Sequence, residues 1–143
     1  MVKYHILYMG RSRMTDRQRR MLEAFFGVEL ELSEIVQAEI DGYTLARVYS
    51  VDDCPYAGDE YCVDAVVLQY EIPGVMLNLL MKDIDVYVFL TMRDTSGRGD
   101  IADGRVITVG LTKYGLKPYP VSKYYVDVDN PGSEPVVELG TTD

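Results

Sequence analysis

The sequence predicts one small α/β domain, with three layers around a mostly parallel sheet and a C-terminal antiparallel β-hairpin. Two observations carry that expectation. Val2–Met9, Asp64–Tyr70 and Asp85–Met92 are apolar runs rich in β-branched and aromatic residues, as in strands buried on both faces. Helical segments lie between strands, so the order alternates as it does in parallel sheets. A chain of 143 residues suits a single core, which we assign to residues 1–129, with 130–143 as a tail.

The first strand ends at Gly10, and the loop Arg11-Ser12-Arg13-Met14 follows. Thr15 with Gln18 three positions later forms a capping box, so a helix starts there and runs to about Phe26. Met21, Leu22, Phe25 and Phe26 share its apolar face, Arg17, Arg19 and Arg20 largely face water, and Gly27 suits the stop. Val28, Leu30 and Leu32 alternate with Glu29, Glu31 and Ser33, a strand with one wet face. Runs 35–40 and 43–51 flank Asp41-Gly42, a favoured pair for a tight hairpin turn. After an acidic loop at 52–60, the strand 64–70, a short helix 75–81 opened by Pro73, and the strand 85–92 form a parallel crossover. Beyond the Gly- and Asp-rich loop 95–104, residues 105–112 and 121–129 read as an antiparallel pair. The tail from Asn130 is a frayed end or an edge strand.

Taken in order, the first strand, its Arg-rich loop, the Thr15–Gln18 helix start, Asp64-Ala65-Val66-Val67 and Asp85-Val86-Tyr87-Val88-Phe89 resemble small Rossmann-like proteins of phages and archaea. The resemblance covers roughly residues 3–115. That group is functionally uncharacterised, so the resemblance implies a Rossmann-like fold and no activity. The hairpin at Asp41-Gly42 and the acidic loop depart from its pattern.

Charge is distributed unevenly. The net charge is −9, which argues against broad nucleic-acid binding, where a basic field supplies the affinity. Residues 1–20 hold six basic side chains against Asp16 alone, a net of +5, so the remaining 123 residues carry −14. This asymmetry points to an anion or an acidic partner near the first helix; mutual neutralisation of the two halves is the plainer alternative. No run of eighteen apolar residues suggests a membrane span, and the start is too short and polar for a signal peptide. A cytoplasmic protein is expected.

The candidate site is the loop Gly10, Arg11, Ser12, Arg13, Thr15. In open α/β sheets ligands bind beyond the carboxyl ends of strands, where helix N-termini offer free N–H groups. Two arginines there could clamp a phosphate or carboxylate. Tyr70 and Glu71, then Arg93 and Asp94, follow the other buried strands and would meet the same rim; Tyr70 could stack on a base. Against this, Thr15 need only cap, Gly10 need only turn, and the arginines need only be solvated. No phosphate-loop motif is present.

Asp52, Asp53, Cys54, Asp59, Glu60, Cys62 and Asp64 are an acid-rich group, but the cysteine spacing matches no common zinc pattern, so no metal or cofactor is expected. Free thiols or one short-loop disulfide are the competing readings for the cysteines. His5, the sole histidine, lies early in its strand, and no serine sits in a nucleophile elbow. Arg98-Gly99-Asp100 reads as flexible loop.

The leading functional expectation is a non-catalytic module that binds a phosphate-bearing small molecule or an acidic protein surface through Arg11, Arg13 and Thr15. One alternative is an enzyme acting on a nucleotide or phosphodiester, with Glu71 or Asp94 as acid–base. Another is a viral or archaeal accessory protein that self-assembles as a homodimer through an edge hairpin at 105–129.

Overall fold

A computed structural model describes residues 6–10, 13–27, 32–36, 39–40, 43–44, 47–51, 65–93, 106–116, 119–130 and 133–139. In chain order they form β1 (Ile6–Gly10), α1 (Asp16–Phe26), β2 (Leu32–Val36), β3 (Glu39–Ile40), β4 (Tyr43–Thr44), β5 (Arg47–Val51), β6 (Ala65–Leu68), α2 (Pro73–Met81), β7 (Asp85–Arg93), β8 (Val106–Tyr114), β9 (Pro120–Tyr125) and β10 (Val136–Leu139). Eight strands make one sheet in the order β10-β9-β8-β7-β6-β1-β5-β2, while β3 pairs with β4. Among the described residues, no helix is long and apolar enough to cross a membrane.

The expected Rossmann-like three-layer domain with a mostly parallel sheet is overturned. Only β1 with β6 and β6 with β7 pair in parallel. The pairs β1–β5, β2–β5, β7–β8, β8–β9 and β9–β10 are antiparallel. The reason lies in the connections. A parallel neighbour needs a crossover, usually a helix, whereas an antiparallel one needs only a turn. Two helices among the described residues accompany two parallel pairs, and the strands on either flank join by hairpins.

The strand–helix–strand pattern at 2–32 does not produce adjacent parallel strands. β2 runs in the direction of β1, but β5 lies between them. Val36 opposes Arg47 and, three positions further along each strand, Glu39 opposes Thr44, so the two ladders share one register. Asp41-Gly42, the expected turn, and Val28 to Glu31 lie outside the described residues. The second crossover forms as β6, α2 and β7, with Pro73 in the first turn of α2. β8 and β9 form the C-terminal antiparallel pair, and β10, from the tail, covers the outer edge of β9.

The central strands bury both faces, and the apolar core accordingly has two halves. Met9, Val66, Leu68, Val86 and Val88 pack against Val75, Met76 and Leu79 of α2. Ile6, Tyr8, Ala65, Val67, Tyr87 and Phe89 pack against Met21 and Leu22 of α1. At the C-terminal end of α1, Phe25 meets Tyr87 and Tyr124 edge-on at 5.7 and 4.7 Å between ring centres. Gly27 then ends the helix in the left-handed region at φ 65°, where a side chain would be strained.

The N-terminal end of α1 is anchored by polar contacts. Thr15 accepts from the Gln18 backbone N–H and its own N–H donates to Gln18 Oε1, both at 3.1 Å, completing the capping box. Gln18 is fully buried, and its Nε2 donates to Thr108 Oγ1 on β8 at 3.2 Å. Leu90 opposes Gly110 while Thr91 opposes Thr108, so Val109 is an extra residue in β8, a bulge. Arg17 Nε donates to the Thr108 carbonyl beside it at 2.7 Å. Arg17 is therefore a half-buried tie to the sheet, while Arg19 and Arg20 are exposed as expected.

Gln18→Ala removes half the capping box and leaves buried polar groups without their partner. We expect a loss of about 2 kcal/mol from the urea midpoint, against less than about 0.5 kcal/mol for the exposed Arg20→Ala.

Candidate functional site

β1 and β6 are parallel neighbours whose following helices cover opposite faces of the sheet. This divergence leaves a crevice at their carboxyl ends, the topological switch point where open α/β sheets bind ligands. Gly10 ends β1 and Gln69 follows β6, with the Gln69 N–H donating to the Met9 carbonyl at 2.9 Å. The two residues touch. A Cβ on Gly10 would sit 2.6 Å from Tyr8 Oη, 2.9 Å from Gln69 Cβ and 3.0 Å from its Oε1. Gly10 is thus required for close approach rather than for a turn.

A cavity of about 280 Å³ opens beside this crevice, lined by Gln69, Tyr70, Glu71, Leu90, Thr112 and Tyr114 among others. Tyr114 is buried among the side chains that pack on α2, and its hydroxyl donates to Glu71 Oε1. Burial first, then the Glu71 hydrogen bond and its negative charge, push the Tyr114 phenol well above the usual tyrosine range. The phenol therefore stays protonated and keeps donating. Glu71 itself is exposed, a carboxylate presented at the cavity mouth and held from below.

Of the expected site residues, Gly10, Arg13, Thr15, Tyr70, Glu71 and Arg93 are described, whereas Arg11, Ser12 and Asp94 lie outside the described residues. Tyr70 and Glu71 line the cavity, and Gly10 abuts Gln69, another of its lining residues. Arg93 ends β7. Tyr87 and Phe89 pack on the α1 side, and strand alternation puts Arg93 on that side too, across the sheet from Glu71. Arg13 is exposed just before α1, and the Thr15 hydroxyl is occupied by its cap. The rim therefore has Arg93 on the α1 face of the sheet and a carboxylate-bearing cavity on the α2 face.

Gln69, Thr112 and Tyr114 had no local signal in the sequence. Tyr114 lies 43 residues from Glu71, and β7 and β8 must pair before the two can meet. Among the described residues, no group of three or more His, Cys, Asp or Glu side chains could hold a metal. His5, the acid-rich segment with Cys54 and Cys62, and Arg98-Gly99-Asp100 lie outside the described residues.

The Tyr114 shift has a consequence for stability. The folded protein holds this phenol proton more tightly than the unfolded chain, so the contribution is complete below about pH 10 and is lost as pH rises beyond it. Tyr125, hydrogen-bonded to Glu138 at the surface, shifts in the same direction. Urea midpoints measured from about pH 8 to 11 should fall along the alkaline limb, and more gently in Tyr114→Phe.

Comparison of the chain with protein-family models, curated proteins and solved structures finds no match.

Proposed function

We propose that this chain is a non-catalytic binding module that takes a phosphate-bearing small molecule at the carboxyl-end rim of β1, β6 and β7. The observation that carries the reading is the switch point between β1 and β6, with a cavity beside it. A ligand across the rim would rest its anionic part on the α1 side, near Arg13 and Arg93, and its remainder in the cavity. Asp16, in the first turn of α1, lies on the same side and opposes an anion there. A concave site favours a small molecule over an acidic protein surface. Tyr114 favours binding over proton transfer, because burial and Glu71 hold its proton more tightly than an ordinary tyrosine holds its own.

A thermal-shift panel at low salt, with inorganic phosphate and mononucleotides, tests the reading, since a ligand of the folded state raises the midpoint. We expect a shift that Arg13→Ala with Arg93→Ala abolishes. Shifts that persist undiminished in the double variant would remove the anion site from the α1 side of the rim.

One observation favours a second reading, self-assembly. β10 covers β9, so the hairpin proposed as the interface is not the edge; β10 is. Val136 and Val137 are 66% and 51% exposed on successive positions, so each side of the last strand presents an exposed valine. Pairing of β10 about a twofold axis would give a dimer that Val137→Lys dissociates. A concentration-independent monomer mass in light scattering excludes it.

A further inference from the structure

Glu71 is the one charged side chain among the described residues that line the cavity, and it defines what the cavity can accept. A carboxylate accepts hydrogen bonds and donates none. Tyr114, 7% exposed, uses one lone pair of Oε1 and fixes the direction in which the group points. Two oxygens held in one plane match two parallel N–H donors on a planar edge, the geometry of fork-like pairing. Tyr70, 37% exposed at the mouth, adds an aromatic face suited to a flat, electron-poor or cationic group. The volume of about 280 Å³ lies near the lower end for small-molecule pockets, enough for a head of one or two rings.

We propose that Glu71, with Tyr114 as its positioning residue, receives a planar head that carries two adjacent N–H donors. This rests on the reading that the rim binds a small ligand, and it names that ligand's head. Two sources share the chemistry. The pairing edge of guanine places a ring N–H beside an amino group, and a guanidinium places two amino groups side by side. Adenine fits poorly, because its amino group stands next to a ring nitrogen whose lone pair faces the carboxylate.

The experiment is calorimetric titration of the full chain with GMP, AMP, agmatine and inorganic phosphate, repeated in Glu71→Gln and Tyr114→Phe. Glu71 is exposed, so Glu71→Gln keeps the fold and provides the decisive comparison. GMP should bind at least about tenfold more tightly than AMP, and Glu71→Gln should remove that preference while inorganic phosphate binding stays unchanged. Tyr114→Phe should weaken GMP several-fold with phosphate again unaffected, which general loosening of the fold would not produce. If agmatine binds in a Glu71-dependent way and GMP does not, the head is a guanidinium and the inference stands for that source. Equal GMP and AMP affinities, or undiminished GMP binding in Glu71→Gln, overturn it while leaving the rim as a ligand site. If none of the four probes binds, the inference and the reading it rests on fall together.

Discussion

The molecule depends on one geometrical constraint: three apolar strands, β7, β6 and β1, must be covered on both faces, and one helix is present on each. A helix about 10 Å across covers roughly two strands spaced about 4.8 Å apart. The two helices described therefore cover the middle of an eight-stranded sheet, and the strands added on either side of that middle are antiparallel. The same constraint creates the crevice, because covering both faces forces the chain leaving β1 and the chain leaving β6 to turn in opposite directions.

Local chemistry was readable where one residue acts on near neighbours. Thr15 and Gln18 form the capping box their spacing announces, Pro73 opens its helix, and Asp41-Gly42 sits between strands that pair in a common register. Sheet order was not readable. Alternation of strand and helix at 2–32 is the same whether the next strand docks beside β1 or two places away, and β5 takes the nearer place only through pairing with residues distant in sequence. The partners of Gln18 and Arg17 were hidden for a similar reason. A buried glutamine and a tethered arginine look like solvated helix residues until the bulge at Val109 turns Thr108 toward them.

The candidate site shows the same division. Gly10, Tyr70, Glu71 and Arg93 became candidates by the rule that strand ends face ligands, which needs only strand boundaries. The sheet separates them into two faces, and that separation depends on side-chain alternation along β7. The group that orients Glu71 comes from β8, an antiparallel strand outside the alternating region from which the rule draws its candidates.

The contact between Gly10 and Gln69 also bears on how the protein comes to be assembled. β6, α2, β7, β8 and β9 follow one another along the chain, and each of their junctions in the sheet joins consecutive strands, one by a short crossover and two as antiparallel pairs. β1 pairs with β6 across the whole of α1 and the β2–β5 ribbon, as Ile6 against Ala65. Closing so long a loop carries a larger entropic cost than closing a hairpin, and ladders of that kind form slowly. The crevice has one wall on each side of this late junction. A partly folded chain has only half of that crevice, whereas the cavity beside it is lined from 69 to 114 and needs no part of β1.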